Sequence, residues 1–287
     1  MVSNGFGVIF YVSNTTNPTE GQGAPGPTGS GRSPRGPFTT IQAAVDAAVS
    51  GRGDVIVIQR GTYTENLSIV KVGLTLLGAV PYGYPDHIII RGATVIEAAN
   101  VSAYNLEFFS NSTTRISVKV GDATAEAPSS HFEVCSFASD GTTEPACGLR
   151  IAGGNDHSII RCRIIDNTRG IIIHGGITSN PSGIRIIGND FLEQTTVDVG
   201  TGASGDPTGF IGGEDNGTRN FLCMDNTFGG GVTIPTDFVN IAGTSNGYMA
   251  RNTFASTTNA SATITIPAGI LYGPNGTEAG WSTARPA

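Results

Sequence analysis

Between residues 150 and 185 the chain places Arg150, His157, Arg161, Arg163, Arg169, His174 and Arg185, seven basic side chains within 36 residues of a protein whose formal charge is −7. Guanidinium forks match carboxylates bidentately, so convergence of these groups on one face would hold a carboxylate-bearing sugar or an acidic protein surface. The other reading scatters them over solvent, with Asp156 and Asp166 as their counter-charges. Both readings stand on sequence alone. The carboxylates suggest less chemistry. Hydrolysis of a polysaccharide takes two carboxylates at catalytic separation, and elimination takes carboxylates holding Ca²⁺ beside an Arg or Lys base. Asp156, Asp166, Asp190, Asp198, Asp215 and Asp225 occur singly, mostly beside Asn, and read as turn residues. Of the four cysteines, Cys135 and Cys162 are 27 residues apart and Cys147 and Cys223 fit no metal spacing. They read as small apolar core residues and not as disulfides. Gly29–Ser33 lacks the Gly-Lys-Ser/Thr ending of a phosphate loop. No catalytic residue, cofactor or metal site is therefore expected at any of these positions.

The elements that would position such groups begin at Phe38. Thr39 or Thr40 can cap a helix in which Ile41, Ala44, Val45 and Ala48 fall on one face, with Gly51 and Gly53 expected to stop it. Val55–Ile58, Leu67–Val70 and Leu74–Leu77 are apolar runs too short for helices, and Gly61 turns the chain between the first two. Upstream, Val8–Val12 reads as a strand pairing with the first of these. Downstream, His87–Arg91, Val101–Phe109 and Arg115–Val120 read as further strands, the last with Ile116, Val118 and Val120 inward.

A repeat then emerges. The chain passes through Asn105-Leu-Glu-Phe108, Val134-Cys-Ser-Phe137, Arg161-Cys-Arg-Ile164, Gly188-Asn-Asp-Phe191, Asp225-Asn-Thr-Phe228 and Arg251-Asn-Thr-Phe254. The apolar anchors are 29, 27, 27, 37 and 26 residues apart, so each repeat is one coil of a solenoid and Gly200–Gly217 is an insertion. Side chains alternate along a strand, so the residue two before each anchor faces the same way. That column is Leu106, Cys135, Cys162, Asn189, Asn226 and Asn252. Stacked Asn amides can bond from coil to coil and satisfy corner carbonyls that would otherwise be buried unpaired. At about 4.8 Å per coil, nine or ten coils make a rod about 45 Å long.

The remaining composition narrows the class. Gly is 41 of 287 residues and charged residues are only 14%, which suits a turn-rich repeat fold. The acidic balance argues against nucleic acid or an anionic membrane as partner, and no apolar run is long enough to span a bilayer. Met1–Val12 has no basic stretch ahead of its short apolar run and does not read as a secretory signal. Ser13–Pro37 is a Gly/Pro-rich arm whose three collagen-like triplets are too few for a triple helix. Thr263–Ile266, Gly269–Tyr272 and Trp281 are expected to cover the open end of the rod, with Trp281 either sealing its own chain or reaching a neighbouring subunit. The expected organisation is thus 1–37 strand and arm, 38–260 solenoid, and 261–287 cap or tail.

The stretches TIQAAVDAA (Thr40–Ala48), DVIVIQRGTYTENLSI (Asp54–Ile69) and LTLLG (Leu74–Gly78) resemble the opening of pectin methylesterases and of phage β-helix proteins in the pectin-lyase-like superfamily. The resemblance implies an all-β, single-stranded right-handed parallel β-helix with a short N-terminal capping helix, in which Asn ladders are a common feature. It carries no catalytic residue over. The esterase motifs of the Gln-Asp-Thr, Asp-Phe-Ile-Phe-Gly and Arg-Pro-Trp types are absent. His174-Gly175-Gly176 only grazes the Gly-His-Gly pattern of polygalacturonases. Resemblance to phage β-helices, commonly trimers, implies a non-enzymatic structural virion protein of capsid-decoration or tail-fibre type. Such a protein would be made in the host cytoplasm, and its partners would be other virion proteins and surface polysaccharide. A polysaccharide-active enzyme and a glycan-binding adhesin are the alternatives.

Overall fold

The computed structural model of the chain describes residues 6–14, 30–80, 87–110, 116–121, 126–138, 147–174, 181–192, 197–201, 218–230, 237–241, 245–254, 263–265, 268–277 and 280–282. Most of the Gly/Pro-rich arm and most of the Gly200–Gly217 insertion lie outside them. Strand β1 (Ile9–Val12) lies in parallel beside the first coil, which follows helix α1 (Ile41–Ala47) and consists of β2 (Val55–Ile58), β3 (Gly61–Tyr63) and β4 (Leu67–Ile69). Each of these three strands pairs in parallel with its counterpart one coil further on. The result is three parallel sheets of ten, ten and eight strands among the described residues, wound as a right-handed parallel β-helix. The second sheet closes on one antiparallel strand. Gly61, expected only as a turn, is the first residue of β3.

The interior is built of columns. On the first sheet Phe10, Ile56, Leu76, Ala103, Phe132, Ile159, Ile186, Cys223 and Met249 stand in register and are buried. On the second sheet the anchors Phe108, Phe137, Ile164, Phe191, Phe228 and Phe254 do the same. Their rings lie nearly parallel, with centroids 4.7 Å apart for Phe191–Phe228 and 5.1 Å for Phe228–Phe254. Offset stacking of this kind adds to the burial of each ring.

Helix α1 seals the first end of the rod. Thr40 is extended and its Oγ1 accepts from the Ala43 amide, while Glu65 of the first coil accepts from the Ile41 and Gln42 amides at 2.8 and 2.9 Å. A carboxylate at the positive end of a helix is favourably placed. The helix stops earlier than its apolar spacing predicts. Ala48 is buried but extended, and Gly51 and Gly53, both left-handed, build the turns that follow. Gln42 also pairs with the free edge of the third sheet: its Oε1 accepts from the Ser68 amide and its Nε2 donates to the Ser68 carbonyl. The amide thus stands in for a missing strand. Asp54, buried beneath, accepts from the Val8 and Val49 amides and from Arg52.

The expected strand Val101–Phe109 is two strands, Ser102–Tyr104 on the first sheet and Glu107–Phe109 on the second. The reason is Asn105, whose φ of 56° turns the chain through a corner. Val134, Arg161, Gly188, Asp225 and Arg251 hold the same left-handed conformation at the equivalent corner of later coils. Val134, at φ 54°, is the costly member, because a β-branched side chain crowds the backbone there. Val134→Asn is expected to raise stability by about 1 kcal/mol, read as a higher denaturation midpoint at unchanged slope. An unchanged midpoint would show that the corner stores no such strain.

Next to the corner runs the amide column. Asn189 Oδ1 accepts from the Cys162 amide, Asn226 Oδ1 from that of Asn189, Asn252 Oδ1 from that of Asn226, and Asn275 Oδ1 from that of Asn252, all between 2.8 and 3.0 Å. The Nδ2 groups of Asn189, Asn226 and Asn252 each donate to the Oδ1 of the next Asn and also to the carbonyls of Ile159, Ile186 and Cys223, and that of Asn275 donates to the Gly273 carbonyl. In the earlier coils the thiols of Cys135 and Cys162 approach the matching carbonyls of Ala103 and Phe132 at 3.4 and 3.5 Å. Cysteine there keeps one of the contacts that an Asn makes. All four cysteines are buried and none is in a disulfide.

The parallel ladders continue past residue 260. Thr263–Thr265, Ile270–Tyr272 and Asn275–Thr277 are rungs of the third, first and second sheets, and Gly280–Ser282 then folds back antiparallel on Asn275–Thr277. The strands expected as a cover are therefore part of the coil stack. The Trp281 backbone pairs with Gly276 in that return strand. Among the described residues no helix is long and apolar enough to cross a membrane.

Candidate functional site

The basic run does not converge. Arg150, Arg169 and His174 belong to strands of the third sheet, Arg163 to the second and Arg185 to the first, while Arg161 occupies the corner between the first and second. His157 is buried. Its Nδ1 faces the Ser130 amide at 3.4 Å and its Nε2 faces the Gly153 carbonyl at 3.1 Å, and burial pushes its pKa down to about 4. Thirty-six residues cover more than one coil, so neighbours in sequence point in three directions. Of the single aspartates expected at turns, Asp190 and Asp198 instead lie in strands of the second and third sheets, and Asp156, Asp166 and Asp225 are at turns. Asp156, Asp166 and Asp225 all have positive φ, and Asp225 takes a two-pronged contact from Arg251, both bonds 2.7 Å, which holds its carboxyl below the usual range. Asp190 stands opposite Arg163 across the ladder, and Asp215 lies outside the described residues. Among the described residues no three His, Cys, Asp or Glu side chains gather as a metal site.

A different constellation occupies the outer face of the first sheet. Strand register aligns Ser102, His131, Ser158 and Arg185 in one outward column, and Tyr104, Glu133, Ile160 and Ile187 in the column beside it. His131 Nδ1 is 2.6 Å from Ser158 Oγ, and His131 Nε2 is 3.2 Å from Glu133 Oε2. Arg161 reaches down from its corner to bind Glu133 Oε1. Its left-handed backbone, φ 52°, marks the corner from which that side chain departs. The Tyr104 ring packs against the imidazole, with centroids 5.3 Å apart. The ion pair with Arg161, and secondarily the bond to His131, lowers the pKa of Glu133. Glu133 therefore accepts the Nε2–H proton, and Nδ1 is left to accept from the Ser158 hydroxyl. A hydroxyl on an imidazole that a carboxylate orients is the arrangement of an activated nucleophile.

Arg161 and Arg185 belong to the basic run seen in the sequence, but His131, Glu133 and Ser158 were not singled out from it, although a signal existed. They fall six and four positions before the anchors Phe137 and Ile164, so extending the repeat upstream from each anchor aligns Ser102, His131, Ser158 and Arg185. Outward positions carry no apolar pattern to draw attention to them.

No protein-family model matches the chain, and no curated protein matches it in sequence. Solved structures share its fold. A pectin methylesterase from Aspergillus niger, in deglycosylated form, superposes with a TM-score of 0.54 at 15% identity, over 93% of this chain and 87% of its own. Geobacillus virus E2 ORF18 gives a TM-score of 0.48 at 17% identity, over 83% of this chain and 57% of its own. Pectin methylesterase PemA from Erwinia chrysanthemi gives 0.47 at 12% identity, over 91% and 81%. At these identities the likeness is one of fold alone, the right-handed parallel β-helix.

Proposed function

We propose that this pectin-lyase-like β-helix is a structural component of a bacteriophage particle, a shell-decoration or tail-fibre element that assembles as a homotrimer and meets surface polysaccharide along its walls. The observation that carries the reading is the bonded column from Cys162 through Asn189, Asn226 and Asn252 to Asn275. It ties successive coils by side-chain amides inside the wall, in addition to the backbone ladders, which suits a stiff block that must bear load. The way charge is used also supports the reading. Glu65 caps the helix, Asp54 holds the first turn, and the Arg161–Glu133 and Arg251–Asp225 pairs each link two consecutive coils. The resemblance of the opening stretch to phage β-helices supports the particle and the trimer.

Two measurements test it. Particles purified from the encoding virus are expected to contain the chain at fixed stoichiometry by mass spectrometry, and its absence from them would overturn the assignment. Light scattering on the isolated protein is expected to give three times the chain mass of 29.5 kDa at both high and low concentration. A monomer at both would remove the trimer and leave only a decoration role on a shell.

A further inference from the structure

We propose that Ser158, His131 and Glu133 form a hydrolytic triad on the outer wall of the first sheet, acting on short-chain carboxylic esters presented by an extended polymer. The proposal goes beyond the structural role and does not depend on it, since a rod absent from particles could hydrolyse and a particle component could be inert. Geometry supplies the three roles. Ser158 Oγ lies within hydrogen-bond reach of His131 Nδ1, and the opposite ring nitrogen is held by Glu133. Arg161 on the far oxygen fixes the carboxylate, and Tyr104 packs on the imidazole. Triads are recognised by such roles and not by order or fold, and here the ring is used with its two nitrogens exchanged relative to the commonest arrangement.

The wall also dictates how the oxyanion must be met. The amides of Ser158 and Arg185 are spent in the ladder, donating to the carbonyls of Ser130 and His157. A side-chain donor is therefore needed. Arg185 is the exposed cation whose Cα stands opposite that of Ser158 on the next coil, about 4.8 Å away in the stacking direction. Its guanidinium is the oxyanion-stabilising group. Ile160 and Ile187, both half-buried, flank the column and offer an apolar ledge to a short acyl group. Ser158, at 9% exposure, lies low in an outward sheet face, which suits a small ester group carried on an extended chain that can lie along the coils.

The chemistry balances without a co-reactant other than water. Ser158 Oγ bonds to the acyl carbon as its proton passes to His131 Nδ1, and the ester C–O bond breaks with that proton leaving on the alcohol. Water then adds to the acyl carbon, giving a proton to Nδ1, and the Ser158 C–O bond breaks as Oγ takes that proton back. The products are the alcohol and the carboxylic acid.

The test uses the full chain, a fluorophosphonate and p-nitrophenyl esters. Wild-type protein is expected to gain one phosphonate adduct, mapped by peptide mass spectrometry to Ser158, and to hydrolyse p-nitrophenyl acetate faster than the octanoate. Ser158→Ala is expected to lose at least about 100-fold in hydrolysis and all labelling, at an unchanged melting temperature. His131→Gln should slow labelling of the intact Ser158 by at least about tenfold, and Arg185→Ala should lower kcat about 10- to 100-fold with the adduct still on Ser158. An unlabelled wild-type Ser158, or acetate hydrolysis that survives Ser158→Ala, would overturn the proposal. The wild-type adduct decides the matter even if a variant fails to fold.

Discussion

Asn226→Leu is expected to lower the unfolding free energy by roughly 3–5 kcal/mol, since each buried polar group left without a partner costs about 1–3 kcal/mol. Asn226 Oδ1 accepts from both the backbone amide and the Nδ2 of Asn189, and its own Nδ2 donates to the Ile186 carbonyl and to Asn252 Oδ1. Leucine keeps the branched heavy-atom skeleton, with somewhat larger ends, and removes every one of these bonds. Two donors on Asn189 and one carbonyl are stranded at a position only 1% exposed, where water cannot replace the lost partners. The earlier coils supply a graded control. Cys162 occupies the equivalent position and keeps a thiol contact to the Phe132 carbonyl, so Asn226→Cys should cost visibly less than Asn226→Leu. Chemical denaturation of the three proteins decides it. Equal stability of wild type and Asn226→Leu would mean that the column carries no net free energy.

The second large effect is on pH. His157 is buried as the neutral ring, with a folded-state pKa of about 4 against an ordinary 6.5, and burial is the main cause, partly countered by the Gly153 carbonyl and by the charge of Asp156. A depressed histidine pKa means that the unfolded chain binds a proton that the folded chain refuses. Stability is therefore full above pH 6.5 and falls as pH drops from 6.5 towards 4, after which both states are protonated and the loss stops growing. The 2.5-unit gap corresponds to about 3 kcal/mol. The carboxylates held low by arginine, Glu133 and Asp225, act in a separate window. Their contribution is present above the ordinary carboxylate pKa and disappears only below it. Unfolding free energies at pH 7, 5.5 and 4.5 should thus slope downward in wild type and run nearly flat in His157→Gln. A wild-type slope that survives in the variant would place the titrating group elsewhere.

The parts of the fold that could be read from the chain are those under the tightest physical constraint. The anchors from Phe108 to Phe254 and the ladder two residues ahead of them are buried in identical surroundings once per coil, so packing forces a repeating residue type. Asn275 escaped because its anchor position is Thr277, next to the antiparallel strand that ends the stack. The corner within Val101–Phe109 was hidden because a left-handed Asn105 leaves the apolar run unbroken. The same limits apply more severely to surface chemistry. Arg163 and Arg169 are six residues apart in sequence yet lie on different sheets, whereas His131 and Ser158 are 27 residues apart and 2.6 Å apart at their tips. Outward residues need satisfy no packing rule, so only register along the coils reveals which of them meet.

The four buried thiols turn the rod into its own stopwatch. Cys135 and Cys147 lie in one coil, Cys162 in the next and Cys223 two coils beyond that, and none faces solvent. Burial raises the pKa of Cys162 and takes that of Cys223 to about 12, so both are thiols at neutral pH and inert to alkylation while their coils are closed. Reactivity appears only when a coil opens, and each cysteine reports its own height on the stack. A solenoid whose coils touch only their neighbours can fray from its C-terminal end, in which case Cys223 reacts first. If the amide column makes the rod a single cooperative block, all four thiols modify at one rate.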